Sequence, residues 1–258
     1  MPETGAARAK VFDDIFLAYE QSARLPVLMR LALDETLPAE VQPYSFVTMQ
    51  ALHEIARELR LAARDLLVDL ACGRGGPGIW IAQTIGARLL GIDFSTVAVA
   101  QARRRANASP LSGRARFQVG DLAATGLLDA SADALMCIDS FQFADDLGKA
   151  ADEAWRILRP GRRFVLTSWE PREAARGRLP AALSRVDFGA TLRAAGFVDV
   201  RVAEREAWHQ RQRRVFERAL SADPKNDPAL EQLRGEASRM LPLMPLQRRV
   251  IVTAVRPH

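Results

Sequence analysis

The chain has 258 residues, of which 48% are hydrophobic, and a formal net charge of +5 from 36 Lys and Arg against 31 Asp and Glu. This length suffices for one large α/β domain with an appendage, and no segment approaches the roughly 18 consecutive apolar residues that a membrane span needs. The first residues do not resemble a signal peptide, because Asp13, Asp14 and Glu20 interrupt any apolar core. The prediction is a cytoplasmic protein with no membrane partner.

The basic excess does not predict a nucleic-acid surface. Lys10, Lys149 and Lys225 are the only lysines, so arginine supplies almost all of the positive charge, which is typical of a composition bias. The arginine runs at 103–105 and 211–214 lie on predicted helices without interleaved aromatic residues. Such runs are typical of solvated helix faces, and nucleic acid is not expected as a partner.

Metal binding is not predicted either. The two cysteines, Cys72 and Cys137, stand at the ends of predicted core strands, where reduced and buried thiols are the usual finding. Together with only three histidines they do not form the spacing of a metal site.

The amino-terminal quarter of the chain is predicted to be helical. Apolar residues recur at helical spacing over Val11–Ser22, over Leu25–Leu37, and again in a helix that runs through Leu52 and Leu59. Residues 1–62 are therefore predicted to form a helical unit of their own, followed by a second unit over residues 63–258.

A glycine-rich turn follows the first predicted strand. The strand, Leu66–Leu70, is apolar on both faces, as in a buried parallel sheet. Gly73, Gly75 and Gly78 then allow a sharp turn and a close approach of a ligand to the main chain. The helix that follows is predicted over Gly78–Ile85, and its free N–H groups favour an anionic or electron-rich ligand.

Three further predicted strands also end in a carboxylate. These strands are Arg88–Asp93, Ala115–Leu122, which contains Asp121, and Asp133–Asp139. Asp93 follows Asp69 by 24 positions, and an acid about 20 residues after the first strand can hold both ribose hydroxyls of a nucleoside. Four acids at the same ends of parallel strands predict a ligand site along one edge of the sheet.

The remaining elements complete an α/β pattern. Ser95 is placed to cap a helix over Thr96–Asn107. The other predicted elements, in chain order, are a helix at Leu147–Leu158, a strand at Arg163–Glu170, a helix at Asp187–Ala195, a strand at Phe197–Val202, a helical pair at Val215–Met240 and a last strand at Arg248–Val255.

These residues together resemble the class I S-adenosylmethionine-dependent methyltransferases, over roughly residues 66–197. The resemblance implies a Rossmann-like, seven-stranded, mostly parallel sheet with helices on both faces, an amino-terminal helical lid, and a helical insert at about 205–246 before an antiparallel last strand. It also implies the cofactor S-adenosylmethionine. The cofactor-binding residues would be Asp69, Gly73, Gly75 and Gly78 for the methionine part, Asp93 at the ribose, Asp121 and Leu122 beside the adenine, and also Ala71, Phe94 and Asp139.

Ala71 departs from that pattern. Members of the family often have glycine at the corresponding position of the loop. With alanine there, the backbone is expected to avoid a positive φ angle.

The acceptor side of the site is less defined by the sequence. The aromatic candidates for the acceptor pocket are Tyr19, Tyr44, Phe46, Phe141, Trp169 and Trp208. A general base is needed only if the acceptor must lose a proton. His209 is the preferred candidate base, Glu170 is an alternative, and Asp139 is a further one.

The predicted function is methyl transfer from S-adenosylmethionine to a small organic acceptor, such as a secondary metabolite. Three alternatives remain open at this point. The chain could methylate RNA or protein, it could be a nicotinamide-dependent dehydrogenase that uses the same glycines, or it could be a non-methylating enzyme on the same fold. The expected oligomeric state is a monomer or a homodimer.

Overall fold

The computed structural model describes residues 5–34, 36–42 and 44–258. Its centre is a sheet of seven strands in the order β3-β2-β1-β4-β5-β7-β6. The strands are β1 Leu66–Leu70, β2 Arg88–Asp93, β3 Ala115–Val119, β4 Ala132–Ile138, β5 Leu158–Pro171, β6 Val198–Glu204 and β7 Gln247–Val255.

The first five strands are parallel, and β7 is antiparallel to both of its neighbours. Asp69 of β1 lies opposite Gly91 of β2 and Met136 of β4. This register brings the carboxyl ends of the three central strands to one edge of the sheet, which is where open α/β sheets bind their ligands. The predicted seven-stranded, mostly parallel α/β fold is confirmed.

Ten α-helices are described in this structure. They are α1 Gly5–Gln21, α2 Leu25–Leu33, α3 Met49–Leu59, α4 Gly76–Ile85, α5 Thr96–Asn107, α6 Leu147–Ile157, α7 Ala181–Ser184, α8 Phe188–Ala194, α9 Glu206–Ser221 and α10 Pro228–Met240. None of the described helices is both long and apolar enough to cross a membrane.

Helices cover both faces of the sheet because the strands are apolar on both sides. Leu67 packs into a core with α3, α4 and α5, whereas its neighbour Val68 packs into a second core with α6 and α8. Successive side chains of a strand point to opposite faces, so one buried strand supplies both cores.

Four helices form a layer outside the carboxyl edge of the sheet. Helix α2 packs against α9, α1 packs against α10 and α5, and α9 packs against α10. We call α1, α2, α9 and α10 the cap. Helix α3, which falls within the predicted 1–62 unit, instead packs against β5 and α4, so the cap is built from both ends of the chain.

Several element boundaries differ from the predicted ones. Helix α2 ends at Leu33 rather than Leu37, because Asp34 is extended and its side chain accepts hydrogen bonds from the N–H groups of Thr36 and Met49. Helix α9 begins at Glu206, well before the predicted start of the helical pair, and so includes Trp208 and His209. Strand β5 begins at Leu158, which pairs with Ala132. The predicted helix N-cap at Ser95 is confirmed, since the Ser95 hydroxyl accepts a hydrogen bond from Ala98 N.

Candidate functional site

The loop after β1 is held in a left-handed backbone conformation. Ala71, Gly73 and Gly75 have φ angles of 53°, 51° and 77°. The expectation that Ala71 avoids positive φ is therefore wrong. This conformation costs an alanine about 1–2 kcal/mol. The hydrogen bond from Cys72 N to Ile92 O at 2.9 Å ties the loop to β2.

Asp93, at the end of β2, binds the loop with both carboxylate oxygens. Gly73 N donates to Oδ2 at 2.8 Å, and Ser95 N donates to Oδ1 at 2.9 Å. Burial nevertheless raises the pKa of Asp93 to about 6. The carboxylate is fixed in position by two backbone donors and is ready to accept further hydrogen bonds from a ligand.

Asp69 is a second buried carboxyl group beside it. Burial, and then the charge of Asp93, raise the pKa of Asp69 well above its usual value. A Cβ atom on Gly78 would lie 2.5 Å from Asp69 Oδ2, so glycine is needed for α4 to pack over this side chain. Two carboxyl groups in a poorly hydrated place favour a ligand that brings positive charge or hydroxyl donors.

A cavity of about 970 Å³ extends from this loop across the carboxyl edge of the sheet to the cap. This is at the upper end of the volumes typical of small-molecule sites. Twelve of the residues predicted for the site line it: Asp69, Ala71, Gly73, Asp93, Phe94, Asp121, Leu122 and Asp139 from the cofactor set, and Tyr19, Tyr44, Phe46 and Trp169 from the acceptor set.

The other predicted residues lie outside the cavity wall. Gly75 and Gly78 support it from behind: a Cβ on Gly75 would lie 2.9 Å from the Phe117 ring, and Gly78 packs on Asp69 as described. Phe141 is completely buried, with its ring 5.5 Å from Phe164, centre to centre. Its predicted place in the acceptor pocket is corrected, because the 3-10 turn at 141–143 directs Phe141 into the core and places Phe143 at the cavity instead.

Neither the preferred base candidate, His209, nor the alternative, Glu170, reaches the cavity. Glu170 is buried, accepts from Phe188 N at 2.9 Å and pairs with Arg248 Nη2 at 2.8 Å, so both of its oxygens are used to anchor α8 and β7. His209 is buried within α9, and burial lowers its pKa below the usual range. The neighbouring Trp208 is likewise buried beside Arg205 rather than at the cavity wall. These three assignments are corrected.

Asp139 lines the cavity but is fully engaged in holding the structure. Its Oδ1 accepts from Arg249 Nη2 at 2.5 Å and from Thr167 Oγ1 at 2.9 Å, and its Oδ2 accepts from Phe46 N at 2.9 Å. The residue has a φ of 55°. Asp139 therefore joins β4, β5, β7 and the segment before α3, and is not free to act as a base.

The cap contributes residues that sequence reasoning missed. Helix α10 places Leu233, Glu236 and Met240 on the cavity wall. Their i, i+3, i+7 spacing puts them on one helix face, and Glu236 is the single acidic residue on it. Gln232 and Arg239 of the same helix also line the cavity. The available signal was a carboxylate at helical spacing from Leu233 and Met240.

Comparison with known proteins matches the central part of the chain to a family model. A family model described as "Methyltransferase domain" matches residues 68–166. This segment is a methyltransferase domain. The match confirms the resemblance to class I S-adenosylmethionine-dependent methyltransferases, and it covers β1 to β5 with the glycine loop and all four strand-end acids. Together with the antiparallel β7, it argues against the dehydrogenase alternative.

Curated relatives of the methyltransferase domain act on diverse small molecules by name. The chain is 32% identical over 111 residues to the chloroplastic tocopherol O-methyltransferase of Arabidopsis thaliana, covering 43% of this chain and 32% of that protein. It is 32% identical over 119 residues to 27-O-demethylrifamycin SV methyltransferase of Amycolatopsis mediterranei, covering 46% and 44%. The aligned regions span less than half of the length of these relatives.

Solved structures share the fold over a larger part of the chain. The [4+2]-cyclase SpnF superposes with a TM-score of 0.68 at 24% identity, covering 81% of this chain and 80% of that one. A geranyl diphosphate methyltransferase in complex with S-adenosylmethionine gives a TM-score of 0.66 at 19% identity, covering 80% and 84%. At these identities the likeness concerns the fold.

Proposed function

We propose that this protein transfers a methyl group from S-adenosylmethionine to a small, largely apolar organic molecule. The observation that carries the proposal is the one cavity that extends from the Asp69–Asp93 pair to aromatic and apolar residues of the sheet edge and the cap. One end of this cavity is acidic and backbone-rich, and the other is lined by Tyr44, Trp169 and Leu233.

The acidic end fits the cofactor by charge and by hydrogen bonding. When bound, S-adenosylmethionine supplies a methyl group already activated by a positively charged sulfur. Asp69 would neutralise the positive charge of the methionine part, and Asp93 would accept the ribose hydroxyls. Asp121 and Leu122 would border the adenine. These assignments rest on the family pattern and on the placement of the four residues at the cavity.

The main contribution of the protein to catalysis would be to orient the acceptor toward the methyl group. Holding the acceptor atom in line with an activated methyl group can supply about 7–11 kcal/mol of the barrier. The cap serves this role by enclosing the space above the sheet edge, and we propose that its helices act as a lid. A cavity of this size, with apolar and aromatic residues among its lining, accommodates a small molecule.

A second candidate function is a non-methylating reaction on the same scaffold. A [4+2]-cyclase that shares this fold over about four fifths of both chains shows that the scaffold can house such a reaction. In that case the cofactor site would be kept, and the cavity would hold a substrate that rearranges without receiving a methyl group.

The test is transfer of a labelled methyl group from S-adenosylmethionine into an extract of the source organism, followed by separation into organic-soluble, RNA and protein fractions. Label in the organic fraction, absent with the variant Asp69→Asn, supports the proposal. Label in RNA or protein overturns the acceptor class. Binding of S-adenosylmethionine with no label in any fraction, while an extract compound is consumed, favours the second candidate.

A further inference from the structure

Glu236 is a carboxylate on the cavity wall that has no hydrogen-bond or ion-pair partner among the described residues. Its side chain is partly exposed and lines the cavity from α10, together with Gln232, Leu233, Arg239 and Met240. Polar groups in apolar surroundings are usually hydrogen-bonded. A carboxylate left without a partner in a substrate-sized chamber therefore points to a ligand as its partner.

The other cavity carboxylates are already committed. Asp139 is held by Arg249, Thr167 and the backbone of Phe46. Asp145 is paired with Arg8, and Asp14 is paired with Lys10. The acids of the glycine-loop end belong to the proposed cofactor site, so Glu236 is the remaining group on the acceptor side.

The charged and titratable groups that face Glu236 come from every element around it. Arg239 is on the same helix, Asp139, which is paired with Arg249, follows β4, and Tyr44 lies before α3. Burial, partly offset by Arg239, raises the pKa of Glu236 to about 7. Glu236 and Tyr19 in turn add to the burial that raises the pKa of Tyr44. A carboxyl group that titrates near neutrality is suited to accept and release protons.

Resting on the proposed function, we infer that Glu236 is the general base of this site and that the acceptor is a phenol or a similarly acidic hydroxyl on an apolar skeleton. The acceptor O–H bond breaks and its proton passes to Glu236. The electron pair of the oxygen forms the bond to the methyl carbon. The bond between methyl and sulfur breaks, and its electron pair stays on sulfur, which becomes a neutral thioether.

The chemistry selects this acceptor class over two others. A phenol has a pKa of about 10, within reach of a base near 7, whereas an aliphatic alcohol is far less acidic. An amine must be neutral to attack, and an adjacent carboxylate would stabilise its protonated form instead. The apolar neighbours Leu233, Met240 and Trp169 match the carbon skeleton rather than the reacting oxygen.

The first experiment measures binding without turnover. Calorimetry at pH 8 compares 1-naphthol with its methyl ether, 1-methoxynaphthalene, on the full chain, on Glu236→Gln and on Glu231→Gln, an exposed acid on the same helix. We expect about a tenfold or larger preference for the naphthol in the parent and in Glu231→Gln, because the hydrogen bond is to a charged acceptor. Glu236→Gln should lose most of that preference. Equal preference in all three proteins, or none in the parent, overturns the inference.

The second experiment follows methylation of 1-naphthol against pH. The parent kcat should rise through about pH 7, and Glu236→Gln should fall by about 10²–10⁴-fold and lose this inflection, with S-adenosylmethionine affinity unchanged. With 4-nitrophenol, which ionises near neutrality, the deficit should shrink at high pH. An equal deficit for both phenols, or transfer only to amines or alkenes, overturns the inference and leaves methyl transfer intact. Cofactor binding without methylation of any acceptor instead counts against the proposed function.

Discussion

Arg249 and Asp139 form a buried ion pair across the sheet edge, with Arg249 Nη2 2.5 Å from Asp139 Oδ1. Only 2% of the Arg249 surface is exposed. Asp139 also accepts from Phe46 N, so the pair ties β7 to the segment that leads into α3. The guanidinium lies 6.0 Å from the Phe46 ring centre, which adds a cation–π contact at the same place.

Replacing Arg249 with Met should destabilise the protein by about 3–5 kcal/mol, because it leaves the Asp139 carboxylate buried without a cation. Urea unfolding measures the change. The double variant Arg249→Met with Asp139→Asn should recover part of the loss, since it removes the stranded charge. A single variant as stable as the parent would show that the pair does not join these elements.

Asp69 is expected to lower the free energy of unfolding of the ligand-free protein at neutral pH. The pKa of Asp69 is raised in the folded state. At pH values between the ordinary pKa of 3.8 and this raised pKa, the folded protein binds more protons than the unfolded chain. The free energy of unfolding therefore falls as pH rises through this range. Asp69→Asn should raise the melting temperature of the free protein at pH 7 by about 2–4 °C for each kcal/mol recovered. It should also weaken S-adenosylmethionine binding at least tenfold. Thermal scans and calorimetry check both; a lower melting temperature would contradict the first.

Asp93 gives cofactor binding a pH dependence. A ribose diol donates to the ionised carboxylate, and the pKa of Asp93 is raised to about 6 by burial. S-adenosylmethionine affinity should therefore hold above pH 6 and fall by up to tenfold per pH unit below it. Asp93→Ala should reduce affinity about 10–100-fold at pH 7 and remove the inflection. Asp129→Asn, an exposed acid, serves as the control, and a flat profile for the parent would count against the ribose assignment.

Asp13 attaches the cap to the methyltransferase domain. From α1 it accepts hydrogen bonds from Ser95 Oγ and Val97 N at the start of α5, where negative charge is favourable by about 0.3–1 kcal/mol. Asp13→Asn should increase amide hydrogen exchange over residues 5–21 and speed cofactor release about two- to fivefold. Lys10→Gln, which removes only an exposed ion pair with Asp14, is the matched control. Unchanged release would contradict a lid role for α1.

The sequence by itself determined the sheet and the acidic end of the site. Strand patterns and strand-end acids are local features, and parallel pairing brings such ends to one edge whatever the rest of the chain does. Asp69, Asp93, Asp121 and Asp139 therefore line one cavity, as their spacing predicts. The helix N-cap at Ser95 is also a local feature, since its hydroxyl accepts a hydrogen bond from a backbone N–H only three residues further along the chain.

The tertiary structure alone decided the acceptor end. Whether Phe141 or Phe143 faces the cavity depends on one 3-10 turn, and Glu170 was removed from the candidate bases by a partner 78 positions away, Arg248. Glu236 reached the site only through the packing of α10 on α1 and α9. Helical periodicity indicates which residues share a face but not what that face meets, because that is settled by long-range packing between elements.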